Sequence, residues 1–337
     1  MSEKVLDIIG ENFNATRRLK ITSPRVVHDN GRVGVAYAAP DGAKRLLDVT
    51  DIYPTDPAKL RTFQIPHVAH AVRRKDLDYI AWIINAQTAA GANIIDLCVD
   101  EIAVDPAVRH QTMAWLVPVA QKITDAIIAI DSSDPETIMT GLGVHDGNRS
   151  RPAINSVNLE DGRQDLIKAA KSSNALLFAN ASGREGMPRD EHERVNNLAE
   201  LMQMMDQAGI AMTDRYLDPL AFPVSTGSAF GPHYLEAVRE IRRRYPQVHI
   251  FGGHSNASFG LPQRKIANNA FIILSVLAGC DTLMIDPILN PPKDFTEFKI
   301  AADLVLGMDE NSRRYMSAFR SPLSAGARRT ASASGTR

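Results

Sequence analysis

Eight short apolar runs recur along the chain, and longer stretches with helical periodicity separate most of them. The runs are VLDIIG (5–10), NIIDLCV (93–99), AIIAID (126–131), RPAIN (151–155), ALLFAN (175–180), RYLDP (215–219), VHIFGG (248–253) and TLMIDP (282–287). Such near-continuous apolar character is typical of parallel strands that are buried on both faces. Eight β/α units in a chain of this length predict an α/β fold, a TIM (β/α)8 barrel, with a doubly wound open sheet as the alternative.

Amphipathic segments between these runs predict the helices. The clearest span residues 76–91, 194–209 and 232–246. Gly91 and Gly209 stand where a C-terminal cap belongs, and Pro135 follows Ser133 and Asp134 as at a helix start.

Two segments do not follow the alternation of strands and helices. Residues 15–75 form a predicted insertion after strand one, in which Asn30-Gly31 lies between alternating apolar positions and predicts a β-hairpin. The tail at 321–337 has few large apolar side chains and is predicted to be disordered. We therefore expect one barrel domain over residues 1–320.

Composition narrows the function classes. The net charge is −1, which gives no sign of a surface for nucleic acid. The N-terminus lacks a signal-peptide pattern, and no apolar run reaches membrane-spanning length. The two cysteines, Cys98 and Cys280, lie in apolar runs and indicate buried thiols. We predict a cytoplasmic protein that binds neither nucleic acid nor membrane.

Polar side chains stand at the C-terminal end of nearly every predicted strand, the face where TIM barrels carry their chemistry. A single Asp at such a position is most often a turn former or helix cap. A whole ring of Asp and Asn, with few Lys and Arg, instead indicates a ligand-binding site at this end of the barrel. In chain order the ring comprises Glu11, Asn12, Asn14, Asp96, Asp131, Asn155, Asn180, Asp218, Asn256 and Asp286.

The composition of this ring limits the kinds of ligand that the site could bind. A phosphate site would show a Gly-rich loop with Lys or Arg, and a catalytic zinc would need clustered His or Cys. His67 and His70 lie close in sequence but have no obvious third ligand, so no bound metal is expected. Asp accepts paired hydrogen bonds, and Asn both donates and accepts. These groups suit a flat heterocycle with amidine-like N–H donors, such as a pterin.

Several ordered motifs resemble the methyltetrahydrofolate:corrinoid protein methyltransferases, pterin-binding enzymes related to dihydropteroate synthase. The motifs are IGEN, DLCVDE, AIDSSD, INSVN, YLDPLAFP and GHSNASFGLPQRKIANNAF. The resemblance covers residues 5–13 and about 77–310, but neither the insertion nor the tail. The chain departs from relatives at Cys98-Val99-Asp100, where they have Asn-Val-Gly, and at Asp134, where they have Asn.

The resemblance implies roles for individual residues. The pterin ring would be bound by Asp96, Asp131, Asn155, Asp218, Gly253, Ser255 and Arg264. Asn256 would be catalytic and would hydrogen-bond N5, the methyl-carrying nitrogen. The small residues of GGHSNAS would let the backbone of this loop approach a planar ring; a Gly-rich turn with a capping Asn is the plainer alternative. Glu11, Asn12, Asn180 and Asp286 are further candidates.

The resemblance also implies the reaction, which is methyl transfer between N5 of tetrahydrofolate and a corrinoid carried by a partner protein, in either direction. Asp190-Glu191-His192 begins like a cobalamin-binding motif, but Val195 replaces its Gly, so the corrinoid is expected on the partner. A homodimer is expected. The alternatives are a dihydropteroate synthase-like enzyme, although the last strand end lacks the Arg-x-His pair, and a non-catalytic folate-binding subunit.

Overall fold

The computed structural model describes residues 5–39 and 41–320, so the predicted tail lies outside the described residues. The described chain divides into two compact units. One runs from Leu6 to Pro292 and contains the barrel. The other comprises Val5 and residues 293–320 and includes the helices Pro292–Val305, which begins at the boundary, and Arg313–Phe319.

Eight parallel strands form one sheet in the first unit, as predicted. They are β1 (Asp7–Gly10), β2 (Ile94–Cys98), β3 (Ile127–Asp131), β4 (Pro152–Val157), β5 (Leu176–Asn180), β6 (Arg215–Asp218), β7 (His249–Ile250) and β8 (Thr282–Ile285). The sheet runs from β7 through β6 to β1 and ends at β8. A parallel bridge between Gly253 and Met284 joins its two ends. The sheet is thus nearly closed, and the fold is a TIM barrel.

Helices follow the strands around the sheet. They are α1 (Leu77–Ala89), α2 (Pro106–Ile123), α3 (Pro135–Val144), α4 (Asp165–Ser173), α5 (Glu191–Gln207), α6 (Phe230–Arg244) and α7 (Arg264–Ala278). Gly91 and Gly209 adopt positive φ after α1 and α5, as predicted for their C-terminal ends. Asp134 caps α3 by accepting from the Glu136 amide at 3.2 Å, with Pro135 in the first turn.

The barrel interior is filled by one continuous apolar cluster, contributed by the strands and by the residue after β7. Its members are Ile9, Ile94, Ala129, Ala153, Leu176, Phe178, Tyr216 and Phe251. A barrel filled in this way has a packed core, so its ligand chemistry is expected at the strand ends.

The insertion folds as a separate small layer. The predicted hairpin pairs Val26–Asp29 with Arg32–Ala38, and Asn30 and Gly31 both have positive φ, as its tight turn requires. A third strand, Lys44–Asp48, completes this sheet. The insertion also contains a two-stranded pair, Leu19–Lys20 with Gln64–Ile65, and the helices Pro57–Leu60 and His67–Arg74. The three-stranded sheet packs against α1 through a second apolar core.

Strand β7 is shorter than the run VHIFGG predicted. A Cβ on Gly252 would lie 2.5 Å from the Tyr234 hydroxyl oxygen, and one on Gly253 would lie 2.9 Å from Asn256 Nδ2. The buried Tyr234 therefore favours glycine at position 252, whereas the exposed Asn256 side chain could move away from a Cβ at position 253. No helix in the described part of the chain is long and apolar enough to cross a bilayer.

Candidate functional site

A cavity of about 730 Å³ opens at the C-terminal ends of β1 and β8, between the loop after β7 and the insertion. Six of the predicted site residues line it, namely Glu11, Gly253, Ser255, Asn256, Arg264 and Asp286. The insertion contributes Thr16, Arg17, Arg18 and Gln64 to the opposite wall.

The loop after β7 presents Asn256 to this cavity. His254–Ser258 form a single 3-10 turn, in which the Asn256 backbone amide donates to the Gly253 carbonyl at 2.9 Å. The Asn256 side chain is exposed and makes no hydrogen bond to the described residues. An unpaired carboxamide on a short, ordered turn is available to a ligand as both donor and acceptor.

Arg264 holds this turn in place. Its Nε donates to Ser258 Oγ at 2.9 Å, one terminal nitrogen donates to the Ser255 carbonyl at 2.8 Å, and its guanidinium lies 4.5 Å from the Phe259 ring centroid. Ser255 Oγ in turn donates to Glu11 Oε2 at 3.3 Å, which ties the turn to the end of β1. Arg264 was predicted to lie beside the pterin. In the structure, its hydrogen bonds stabilise the turn that contains Asn256.

Arg17 joins two carboxylates across the seam of the barrel. Its guanidinium lies 2.8 Å from Glu11 and 3.1 Å from Asp286, the strand-end residues of β1 and β8. Burial raises the pKa of Glu11; Arg17 opposes the rise, whereas the charge of Asp286 adds to it. Both oxygens of Asp286 are engaged, because Oδ1 accepts from the amides of Ile288 and Leu289. The three ion-paired residues therefore form part of the cavity lining.

Replacing Arg17 by glutamine is expected to destabilise the protein, and more strongly at pH 8 than at pH 5. Without the guanidinium, Glu11 and Asp286 face each other as uncompensated charges, at a cost of about 1–3 kcal/mol. A protein in which folding raises the pKa of a carboxyl becomes less stable as the pH rises, because the folded state disfavours the ionised form. The variant raises the pKa of Glu11 further, so its loss of stability is larger at pH 8. Urea unfolding at both pH values measures the difference, with the exposed Arg61→Gln as control. An equal loss at both values would contradict this account.

A second polar group lies at the ends of β2, β3 and β4. Asp96 is fully buried and accepts from Asn155 Nδ2 at 2.9 Å, while the register sets Asp131 beside Asn155. Burial and the charge of Asp131 raise the pKa of Asp96 well above its usual range. Burial and the charge of Asp100 raise the pKa of Asp131 to about 7. The pKa values of both carboxyls are thus raised, and the two groups titrate as a pair.

Asp218 stands alone at the end of β6. Its Oδ1 accepts from the Leu220 amide at 2.7 Å, and the backbone of Leu220 has φ +68°, a strained value for a non-glycine residue. Burial raises the pKa of Asp218 to about 7, although Arg194 lies close enough to oppose the rise. Asp218 is thus a second carboxyl that changes charge near neutral pH.

Asn12 and Asn180 are not among the residues that line the cavity. The Asn12 backbone amide donates to Gln87 Oε1 at 2.9 Å, while its buried side-chain Oδ1 has no hydrogen-bond partner among the described residues. Asn180 donates to Ser156 Oγ at 2.7 Å and accepts from the Ser182 amide at 2.9 Å. Both of Asn180's polar atoms are occupied in fixing the loops after β4 and β5.

The structure adds basic residues that the strand-end pattern missed. Lys and Arg are absent from the strand ends, but flanking segments bring Arg17, Arg18 and Lys265 to the cavity. Arg163, in the loop after β4, donates to the carbonyls of Ser132 and Ser156 at 3.1 and 3.0 Å. The mouth is therefore not poor in cations. The sequence carried no spacing signal for Arg17 or Arg163, because each also contacts a partner that is remote along the chain, Asp286 for Arg17 and Ser132 for Arg163.

The two aspartates that depart from relatives, Asp100 and Asp134, contact the loop after β3. Asp100 accepts from Ser132 Oγ and, at 2.8 Å, from the Ser133 amide. Asp134 accepts from His110 at 2.7 Å in addition to capping α3. Both aspartates therefore make structural contacts within the protein.

His67 and His70 do not converge on a common point. His67 Nδ1 is 2.8 Å from the Tyr79 hydroxyl, and His70 Nε2 is 2.8 Å from the Asp48 carbonyl. Burial lowers the pKa of His67 to about 3, so its ring is a neutral part of the core. Within residues 5–39 and 41–320, no group of three or more His, Cys, Asp or Glu is arranged to hold a metal ion.

Comparison with known proteins identifies the family. Residues 68–286 match the model of the pterin-binding enzymes. The chain is 29% identical over 259 residues to a methylcorrinoid:tetrahydrofolate methyltransferase from Eubacterium limosum, covering 76% of this chain and 92% of that protein. It is 30% identical over 241 residues to the methionine synthase of Mycobacterium tuberculosis, covering 66% of this chain but only 20% of that longer protein.

Solved structures agree on the fold. A dihydropteroate synthase from Yersinia pestis, bound to a pterine-sulfa conjugate, superposes with a TM-score of 0.53 at 16% identity, covering 68% of this chain and 89% of that one. One from Coxiella burnetii in complex with pteroic acid superposes with a TM-score of 0.51 at 14% identity, covering 89% and 95%. The barrel, the strand-end carboxyls and the matched residues lead to one conclusion: the chain belongs to the pterin-binding enzyme family, and it is a methyltransferase.

Proposed function

We propose that this enzyme transfers a methyl group from a methylcorrinoid, carried by a separate protein, to N5 of tetrahydrofolate. The observation that carries the proposal is the unpaired amide of Asn256 on a braced turn at the cavity. The similarity to the Eubacterium limosum methyltransferase supports this direction of transfer.

The polar groups at the strand ends are proposed to bind the pterin ring. A pterin edge carries adjacent N–H donors, which match the two oxygens of an ionised carboxylate. Asp131 and Asp218 are candidates, since both lie in poorly hydrated positions where charge-assisted hydrogen bonds are strong. Asn155, held by Asp96, offers an acceptor and a second donor.

Asn256 is assigned to N5. During transfer, the N5 lone pair forms the new bond to carbon, and the electron pair of the broken cobalt–carbon bond stays on the corrinoid of the partner protein. N5 then releases its proton. An amide cannot act as a strong base, but its oxygen can accept a hydrogen bond from N5–H as positive charge develops there. A network to solvent carries the proton away.

The open cavity is consistent with a corrinoid that arrives on a partner. Asp190, which began the incomplete cobalamin motif, instead caps α5 by accepting from the Glu193 amide at 2.8 Å. We propose that the insertion, which lines one cavity wall, shapes the approach of the partner protein. A homodimer and a cytoplasmic location stay predictions.

The first test mixes the purified protein with methylcobalamin and tetrahydrofolate and follows the absorbance of cob(I)alamin. The reverse mixture, methyltetrahydrofolate with reduced cobalamin, measures the opposite direction. Cob(I)alamin formation that requires both the protein and tetrahydrofolate supports the proposal. Absence of transfer in both directions, with free and with protein-bound corrinoid, contradicts it.

The dihydropteroate synthase alternative gains no support from the geometry. That reaction needs basic residues for a pyrophosphate at the last strand, whereas β8 is followed by Asp286, whose partner Arg17 is already shared with Glu11. The likeness to solved synthases concerns the fold.

A further inference from the structure

We propose that Asp281 and His249 are positioning residues, which close the barrel between β7 and β8 and thereby fix the turn that contains Asn256. The proposal rests on the proposed function, in which Asn256 contacts N5. Its starting point is a polar cluster at the N-terminal ends of β7, β8 and β1, on the face of the barrel opposite the cavity. No residue of the predicted site belongs to this cluster.

The seam between β7 and β8 lacks the regular ladder that joins the other neighbouring strands. Strand β7 has only two residues, His249 and Ile250, and both pair with β6. Within the described residues, the bridge between the two ends of the sheet joins Gly253 to Met284, beyond the end of β7. The backbone groups of Ile250 that face β8 therefore need another partner.

Asp281, the residue before β8, supplies that partner. Its Oδ1 accepts from the Ile250 amide at 2.9 Å, and its own amide donates to the Ile250 carbonyl at 3.3 Å. Its carbonyl accepts from the amide of Asp7, at the start of β1, at 3.0 Å. One residue thus replaces the missing ladder bonds of β7 and also continues the pairing of β8 with β1.

Two cationic side chains hold the Asp281 carboxylate in this position. Asp281 Oδ2 lies 3.2 Å from His249 Nδ1 and 3.2 Å from the guanidinium of Arg242, which belongs to α6. Arg242 also donates to the carbonyls of Val248 and Gly279, on either side of the seam, at 2.7 and 3.0 Å. Asp281, His249 and Arg242 therefore form a clasp that connects the chain before β7 to the chain before β8.

Strands β6 and β1 hold His249 from the other side. Its ring stacks on Tyr216 with 4.4 Å between the ring centroids, and the Tyr216 hydroxyl donates to Asp7 Oδ2 at 2.9 Å. Burial lowers the pKa of His249, but Asp281 and Asp7 outweigh this effect and leave that pKa raised, against the opposing charge of Arg242. Burial likewise disfavours the ionised form of Asp281, whereas His249 and Arg242 bring its pKa below the usual range. Both shifts are those expected of an attractive ion pair.

The clasp lies on the same pair of strands that carries the Asn256 turn at its other end. Only residues 251–255 separate Ile250 from Asn256, and this segment contains the bridge between Gly253 and Met284. So short a packed segment has little freedom to absorb a shift of β7 relative to β8. A displacement of about 1 Å at a reacting group can lower a rate about 100-fold, so the clasp is placed to affect methyl transfer from a distance.

The test compares Asp281→Ala with Asp214→Ala in the full chain. Asp214 precedes β6 on the same face of the barrel and pairs with Arg151 at 2.9 Å, so its loss removes an ion pair outside the clasp. Hydrogen exchange of the amides of residues 253–259, read by mass spectrometry, should be about tenfold faster in Asp281→Ala and unchanged in Asp214→Ala. In the methyl-transfer assay, Asp281→Ala should lower kcat about tenfold and change the affinity for tetrahydrofolate less than about threefold.

Two milder variants keep the bond to Ile250 and remove only the charged contact. Asp281→Asn retains an acceptor oxygen for the Ile250 amide, and His249→Phe retains a ring that can stack on Tyr216. Each should lower kcat and raise the exchange of residues 253–259 only about threefold, since a charge-assisted hydrogen bond is lost while the backbone contact stays. These two variants carry the same test if Asp281→Ala does not fold.

Failure of the positioning role and failure of the proposed function give different results. If exchange of residues 253–259 is unchanged in the clasp variants, or rises equally in Asp214→Ala, the positioning role is wrong and the proposed function stands. A rise in exchange with kcat unchanged also overturns the positioning role. Absence of methyl transfer by the wild type contradicts the proposed function instead, while the exchange measurement, which needs no turnover, still decides whether the clasp fixes the turn.

Discussion

Asn256→Ala is expected to lower kcat for methyl transfer about 100-fold while the affinity for tetrahydrofolate changes less than about threefold. The Asn256 amide has no partner in the described structure, so its removal leaves no buried group unsatisfied and does not disturb the fold. Its proposed hydrogen bond to N5 strengthens only as charge develops during transfer, and such bonds affect kcat more than binding.

Two further variants sharpen this result. Asn256→Asp keeps the size of the side chain and its acceptor oxygen, but it replaces the N–H donor and adds a negative charge. This variant therefore distinguishes hydrogen-bond acceptance from amide donation. Asn148→Ala removes an exposed asparagine that does not line the cavity and should leave kcat unchanged. Stopped-flow absorbance of cob(I)alamin gives kcat, and calorimetry gives the affinity. A kcat for Asn256→Ala within about threefold of wild type would remove Asn256 from the mechanism.

Folate affinity is expected to rise with pH up to about 7 and to level off above it. In the free protein, the pKa values of Asp131 and Asp218 are both raised to about 7 by burial. Only an ionised carboxylate accepts two N–H donors from the pterin, so binding lowers these pKa values. Below pH 7 each protonated group must release its proton first, and the affinity falls by up to tenfold per pH unit and group.

Asp218→Asn should weaken folate binding at pH 8 by about 10–100-fold, because charge-assisted hydrogen bonds become neutral ones. The same variant should show a shallower pH dependence, since only the Asp96–Asp131 pair still titrates. Asp165→Asn on the exposed face of α4 serves as the matched control. Calorimetry from pH 5.5 to 8.5, in buffers of different ionisation enthalpy, counts the released protons. A wild-type affinity that does not change over this range would rule out carboxylate ionisation on binding.

The barrel was predictable because its signal is local. Each strand is a run of apolar residues, and parallel strands in a closed sheet present their polar ends on one face. The hairpin at Asn30-Gly31 and the caps at Gly91, Gly209 and Pro135 followed from backbone preferences that operate within a few residues.

Which of the polar side chains at the strand ends would be free to bind a ligand could not be predicted in the same way. The sequence placed Asn180 and Asn256 in the same class, yet Asn180 is saturated by Ser156 and Ser182 while Asn256 remains unpaired. Whether an amide caps a loop or faces a cavity depends on which neighbours the fold brings within about 3 Å.

The chain's sequence by itself determined the eight-stranded barrel, its polar face and the position of the Ser255-Asn256 turn, because each depends on residues near one another. Only the tertiary structure decided the charge of the site. Arg17 reaches Asp286 across 269 positions, and the insertion brings Arg18 to the same cavity. Charges act through space at short range, so the balance of cations and carboxylates is set by folding rather than by order along the chain.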